Sequence, residues 1–253
     1  MSMNFSNSQL ERYSRQVVLK KIGVIGQKKL SNSKVLIVGA GGLGSPLSIY
    51  LAGLGIGEIG IVDCDKVEIS NLHRQILFNI EDLKKNKSKI ALKKLKKINP
   101  NIKITSFDNK LNKKNINKIG EKFDLIADGS DNFETRFLVN DYCLKNKKIL
   151  VSGAISKFDG HIYTFNFLKK NSPCLRCLMP KIPKNINLNC EFDGVLGPLA
   201  GIVGCIQASE IIKEILHIGD SLCGHILIID CLKLTFRKVK LKKNAKCLCN
   251  KRS

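Results

Sequence analysis

The apolar run Lys34-Val35-Leu36-Ile37-Val38 enters Gly39-Ala40-Gly41-Gly42-Leu43-Gly44, and a helix-compatible segment, 45–55, leaves it. Gly39, Gly41 and Gly44 fall on the G-x-G-x-x-G spacing. The first glycine permits a tight turn, the second lets backbone N–H groups approach a phosphate, and the third lets helix and strand pack closely. The helix N-terminus then directs partial positive charge at the anion. A strand–turn–helix of this kind binds a nucleotide, and it limits the fold around it to an α/β architecture.

The rest of the chain reads consistently with that. Residues 8–30 look helical. Strand 34–39, helix 45–54 and strand 58–63 follow, the last ending in Asp63, about 20 residues past the turn, where a carboxylate can bind ribose hydroxyls. Ile90, Leu92, Leu95 and Ile98 mark a basic helix that stops at Asn99-Pro100. Strand 102–107, a helix near 112–119, strand 123–128, a helix over 133–146 and strand 148–153 continue the alternation. Alternating strands and helices predict a doubly wound, mostly parallel sheet, with ligands at the carboxyl ends of its strands. Gly39, Asp63 and Asp131 all lie at or just past such ends. Beyond strand 161–167, an irregular stretch over 172–195, a long small-residue helix near 198–217 and strands near 225–230 and 234–240 predict an antiparallel extension. We read 1–253 as a single domain: an N-terminal helical segment (1–30), a nucleotide-binding core (31–155) and a C-terminal part (156–253).

Composition narrows the partners. No apolar run approaches the roughly 20 residues of a membrane span. Residues 1–10 lack the apolar core of a signal peptide, so a cytoplasmic location and no membrane partner are expected. The net charge of +22 raises the prospect of nucleic acid. Lysines are spread over nearly every surface segment, however, and aromatics are only 6% with no Trp, so no nucleic-acid partner is expected. An acidic protein partner fits the charge equally well.

The chemistry lies in a scattered set of polar groups. Arg15, Arg74 and Lys87 can neutralise phosphate oxygens, arginine with a bidentate fork. Asn71 can hydrogen-bond a phosphate, and Asp131, with or without Asp128, can hold Mg2+, a hard ion that prefers carboxylate oxygen. Asp131 can equally be the N-cap of the helix that follows it. His73, inside the loop Ser70-Asn71-Leu72-His73-Arg74-Gln75, reads as a packing residue, and His161, His217 and His225 read as structural.

Arg12-Tyr13-Ser14-Arg15-Gln16, the glycine turn, Ser70 to Gln75, and Ser130-Asp131-Asn132, in this order, resemble the ThiF/MoeB family, bacterial relatives of ubiquitin-activating enzymes. The resemblance continues through Cys174-Leu175-Arg176-Cys177 and Gly194-Val195-Leu196-Gly197-Pro198 to the terminal cysteines, covering nearly the whole chain. It implies a Rossmann-like sheet and an adenylyltransferase. The enzyme would join the C-terminal glycine carboxylate of a small ubiquitin-like sulfur carrier protein to the α-phosphate of Mg-ATP. The resemblance places Gly39, Gly41, Gly42 and Gly44 in the turn against ATP, with Asp63 on the ribose. Ser70, Asn71, Leu72, His73, Arg74 and Lys87 would lie around the phosphates, and Asp131 with Asn132 at the metal. It also implies a homodimer in which Arg15 reaches the neighbouring subunit's site. A cysteine desulfurase or another sulfur donor is a further possible partner.

Ten cysteines in a chain of this kind argue against a disulfide framework. Cys64, Cys143, Cys205, Cys223 and Cys231 read as small core residues. Cys174-x-x-Cys177 has metal-ligand spacing. With Cys247 and Cys249 it would form the family's four-cysteine Zn2+ site, although the family ends in C-x-x-C where this chain has Cys247-Leu248-Cys249. Cys190, in the long loop, matches a cysteine that links to the activated carrier in the thiamine branch. Arg12-Tyr13-Ser14-Arg15-Gln16, Gln75-Ile76-Leu77-Phe78 with Glu81-Asp82 after it, and Gly197-Pro198 lean toward that branch; the alternative is the molybdopterin-synthase adenylyltransferase. From other classes, an NAD-dependent dehydrogenase would share the turn and Asp63 without needing the cations, and a non-catalytic carrier-binding module would need neither cations nor metal.

Overall fold

The computed structural model describes residues 5–182 and 194–250. Its centre is one eight-stranded sheet in the order β3-β2-β1-β4-β5-β6-β7-β8. The strands are β1 (Lys34–Val38), β2 (Glu58–Val62), β3 (Lys103–Phe107), β4 (Leu125–Asp128), β5 (Ile149–Ser156), β6 (Asp159–Asn166), β7 (His225–Asp230) and β8 (Thr235–Lys240). From β3 to β5 neighbouring strands are parallel. From β5 to β8 they are antiparallel.

Alternation along each central strand sorts the core into two layers. Val35 and Ile37 of β1 face one side, with α2 (Gly23–Asn32), α3 (Gly44–Leu54), α4 (Lys87–Ile98) and part of α8 (Gly197–Leu216). Leu36 and Val38 face the other, with α5 (Ile116–Gly120), α6 (Phe133–Lys145) and α7 (Leu175–Leu178). Strands covered on both faces must be apolar at consecutive positions, which is why β1 reads as an unbroken hydrophobic run. The first half of α8 adds a third cluster, where Leu199 and Val203 meet Ile162 and Ile229 of the antiparallel part. No helix among the described residues is long and apolar enough to cross a membrane.

The expected helix over 8–30 is two helices, α1 (Asn7–Val17) and α2, separated by a turn that ends at Gly23 with φ +59°. Ser6 and Gln9 form a reciprocal cap at the start of α1, the signature of a helix beginning there. The break lets Tyr13 turn inward, where its hydroxyl accepts a hydrogen bond from Asn99 Nδ2 at 2.9 Å. Gln27 Nε2 meanwhile donates to Leu54 O at the end of α3.

The parallel order reverses direction between β1 and β4. Connections from these two strands leave on opposite faces, so a crevice opens at their carboxyl ends.

Candidate nucleotide cleft and cysteine cluster

The crevice is a cleft of about 770 Å3 lined by residues from the ends of β1, β2, β4, β5 and β6. Gly39 leaves β1 with φ +91°, a conformation costly for any residue with a Cβ. A Cβ on Gly44 would stand 1.9 Å from Gly39 O, so the helix begins directly on the turn only because position 44 has no side chain. Gly39, Gly41 and Gly42 line the cleft, and Gly44 lies behind them as the first residue of α3.

Asp63 lines the cleft next to the turn. Its two carboxylate oxygens each accept a backbone N–H, from Ala40 at 2.8 Å and from Asp65 at 2.8 Å. Burial pushes its carboxyl above the ordinary value, and the Ala40 N–H together with the Lys87 charge pull it back. Lys87, at the start of α4, is nearly fully buried and reaches into the cleft with Nζ 3.3 Å from Asp65 Oδ2. Arg74 and Gln75 line the cleft beside Gly41 and Gly42.

Ser70, Asn71, Leu72 and His73 lie outside the lining residues and build the loop that carries Arg74. Asn71 Oδ1 accepts from Glu68 N at 3.2 Å, His73 Nδ1 lies 3.0 Å from Ser70 O, and Arg74 Nη1 donates to Ser70 O at 3.0 Å. Arg15 is exposed on α1, also outside the lining. Cys190 lies outside the described residues.

At the end of β4 the acidic residues divide their work. Asp128 is fully buried; its oxygens accept from Ser130 N (3.0 Å), Ser130 Oγ (2.6 Å) and Ser152 Oγ (2.7 Å), so it braces the loop. The N-cap of α6 is Asn132, whose Oδ1 accepts from Thr135 N at 2.9 Å. Asp131 is thereby left exposed in the cleft, in no ion pair among the described residues, and touched by Asn132 Nδ2 at 3.3 Å. A free carboxylate beside phosphate-binding groups is a donor that suits Mg2+.

Several lining residues were missed in the sequence. Cys64, read as a core thiol, is exposed at the cleft because it follows the last residues of β2. His161, read as structural, lines the cleft with Tyr163, since both point from β6 toward α6. Arg136 and Lys110 also line it. Arg136 had one available signal: it lies one helical turn past Asn132, on the face that Asp131 opens.

The four cysteines Cys174, Cys177, Cys247 and Cys249 converge, with all sulfurs within 4.8 Å of one another. Sγ separations are 3.9 Å for Cys174–Cys177, 3.6 Å for Cys174–Cys247 and 3.4 Å for Cys177–Cys249. Four sulfurs at a Zn–S distance of about 2.3 Å in a tetrahedron lie about 3.8 Å apart, so the C-x-C tail fits the same ion as a C-x-x-C would. Burial pushes the Cys249 thiol up to about 12, with its hydrogen bonds to Cys177 and Cys247 adding to the rise. α7, which is preceded by Cys174 and carries Cys177, is clamped to α6. Arg176 Nε and Nη2 each lie 2.7 Å from the Asp141 carboxylate, and Leu175 N donates to Asn140 Oδ1 at 2.8 Å. Leu175 and Met179 thus form part of the cleft wall.

Comparison with known proteins agrees with this architecture. A "sulfur carrier protein adenylyltransferase" of Thermus thermophilus is 41% identical over 249 residues, covering 97% of this chain and 92% of the relative. A "SAMP-activating enzyme E1" of Haloferax volcanii is 40% identical, covering 98% of this chain and 91% of the relative. An "adenylyltransferase and sulfurtransferase MOCS3" of Culex quinquefasciatus is 43% identical, and the chain spans 56% of its length. The solved structure of E. coli MccB with ATP superposes with a TM-score of 0.82 at 25% identity, covering 95% of this chain and 74% of that one. The ThiF family model matches residues 13–250, and the chain belongs to the ThiF family.

Proposed function

We propose that the protein is an adenylyltransferase that activates the C-terminal glycine carboxylate of a small ubiquitin-like sulfur carrier protein with ATP. The observation that carries this reading is the cleft at the β1/β4 switch. It gathers the glycine turn, two phosphate-complementary cations (Arg74 and Lys87) and an uncommitted carboxylate (Asp131). A dehydrogenase needs the turn but not this set, and a scaffold needs neither. The Thermus relative, a sulfur carrier protein adenylyltransferase, and the Haloferax relative, a SAMP-activating enzyme E1, at about 40% identity over nearly the full chain, support it.

In the reaction a carboxylate oxygen of the carrier attacks the α-phosphorus of ATP. The bond to the bridging oxygen breaks, and pyrophosphate leaves with the electron pair. The attacking group is already ionised near neutral pH, so no general base is required. The turn's N–H groups, Arg74 and Lys87 bind the phosphates and are in place before charge moves, which lowers the barrier by stabilising the transition state. Asp63 holds the turn and offers its remaining lone pairs to the ribose. Mg2+, when bound, neutralises phosphate oxygens; Asp131, steadied by Asn132, would hold it. Zn2+ in the cysteine cluster would fasten α7 to the chain's end and keep the cleft wall in place. Arg15, exposed and away from its own cleft, suits the family's homodimer, in which it would serve the neighbouring copy.

Of the two branches we favour the thiamine one, in which the carrier supplies sulfur for thiazole formation. Gln75-Ile76-Leu77-Phe78 and Gly197-Pro198 support it, with Cys190 as the residue that would link to the activated carrier. The test is ATP–pyrophosphate exchange with the thiazole-branch and molybdopterin-branch carriers offered separately. Exchange with the first alone bears the reading out. Exchange with the second alone moves the chain to the molybdopterin branch, and exchange with neither rejects both branches and points to a different carrier or to a carrier-binding module.

A further inference from the structure

Arg136 is a buried cation with no ion-pair partner among the described residues. It is 8% exposed, and Nη2 donates to Ser130 O at 2.5 Å. Among the described residues no carboxylate forms an ion pair with it, whereas Arg176 on the neighbouring helix has Asp141. A guanidinium carries five N–H donors, and a single carbonyl leaves most of them unused. Burying an unpaired charge is costly, so an arginine held this way is completed by an anion that arrives from solution.

The position of Arg136 selects the anion. The cleft has two halves. One, formed by the glycine turn, Asp63, Arg74 and Lys87, lies over β1 and β2 and suits the nucleotide. The other is bounded by Ala154, Ser156, His161, Tyr163, Leu175 and Met179, over β5, β6 and α7. Arg136 rises from α6 after β4, between them. Burial, with the Arg136 charge adding to it, holds His161 below the ordinary imidazole value against the pull of Asp159, so this half offers one cation and neutral hydrogen-bonding groups. The phosphates already have their cations in the first half. The reaction has one other anion, the carboxylate, and a planar fork matches a carboxylate bidentately.

We propose that Arg136 receives the terminal carboxylate of the acyl substrate in the β5–β6 half of the cleft and presents it to the nucleotide half for attack. This rests on the adenylyltransferase reading. The test compares the carrier with a free C-terminal carboxylate and the same carrier ending in a carboxamide. Each is titrated by calorimetry into the whole protein with a non-hydrolysable ATP analogue present. Wild type should prefer the acid by at least about tenfold, the scale expected when a buried charge loses its partner. Arg136→Gln, which keeps a donor for Ser130 O, should bring that preference near one while its affinity for the analogue stays within about twofold. Arg136→Lys, which keeps the charge without the fork, should fall between. A wild type indifferent to the terminus, or a Gln variant that keeps the preference, overturns the proposal. So does a Gln variant that loses analogue affinity in proportion, which would mean that the anion is a phosphate. Carrier-dependent pyrophosphate exchange by wild type checks the parent reading separately; acid preference without exchange would retain the Arg136 site and reject adenylation.

Discussion

Lys87 Nζ lies 3.3 Å from Asp65 Oδ2, and the two partners differ in surroundings: the lysine side chain is 7% exposed and the aspartate 62%. The aspartate can therefore swing into solvent and leave the ammonium to another anion, whereas the lysine stays where α4 sets it. Lys87→Ala should lower the rate of pyrophosphate exchange by about 10²–10³-fold, the range seen when a preorganised charge is removed from a developing one. Far-ultraviolet circular dichroism should be unchanged. Turnover at the wild-type rate would show that Lys87 is not part of the phosphate site.

The glycine turn can be tested with a matched pair. A Cβ at position 44 meets Gly39 O at 1.9 Å, while a Cβ at position 53, on the same helix, meets nothing within 4 Å. Gly44→Ala should abolish ATP binding measured by calorimetry. Gly53→Ala should leave binding unchanged and raise the melting temperature slightly, because alanine is favoured over glycine in a helix by about 1 kcal/mol.

Asn132 caps α6 and so leaves Asp131 free. Asn132→Ala should cost about 1 kcal/mol of stability in chemical denaturation, the usual loss of a capping side chain. Asn132→Asp should restore the cap. If Asn132→Ala is neutral, the cap contributes nothing and the positioning of Asp131 needs another source.

The cysteine cluster predicts about one zinc ion per chain by elemental analysis, a tetrahedral four-sulfur site. Cys247→Ser should reduce both the zinc content and the melting temperature, as should a strong chelator on the wild type. Cys143→Ser should leave the zinc content intact, because that thiol is buried in α6 and is not among the four converging sulfurs.

Asp82, buried beside Lys94, has its carboxyl held below the ordinary range; burial opposes this, and the Lys94 and Asn79 hydrogen bonds outweigh it. A depressed native value adds stability that is present above the unfolded value of about 3.9 and is lost as pH falls through the native one. Asp82→Asn should therefore destabilise the protein near pH 7 and flatten the acid limb of its stability curve. Parallel acid limbs for variant and wild type would refute the assignment.

What the sequence determined by itself is local or ordered along the chain. The strand–turn–helix at 34–54 is legible because apolar run, glycine spacing and helix start are encoded within a few residues of one another. The parallel core follows from strands that are apolar on both faces and separated by helices, and the antiparallel end from short connections such as 157–158. Family membership follows from motifs in a fixed order. Tertiary structure decided what depends on partners distant in sequence. Tyr13 of α1 is fixed inward by Asn99, a pairing across 86 positions. Whether Asp131 or Asn132 capped α6 turned on backbone geometry that residue type leaves open, since both side chains can accept the same N–H. The joining of Cys174 and Cys177 to Cys247 and Cys249 needed the sheet to return the chain's end to α7. That Arg136 is buried with no ion pair among the described residues became visible only with packing, because an arginine's exposure and its charge partners are properties of the assembled core.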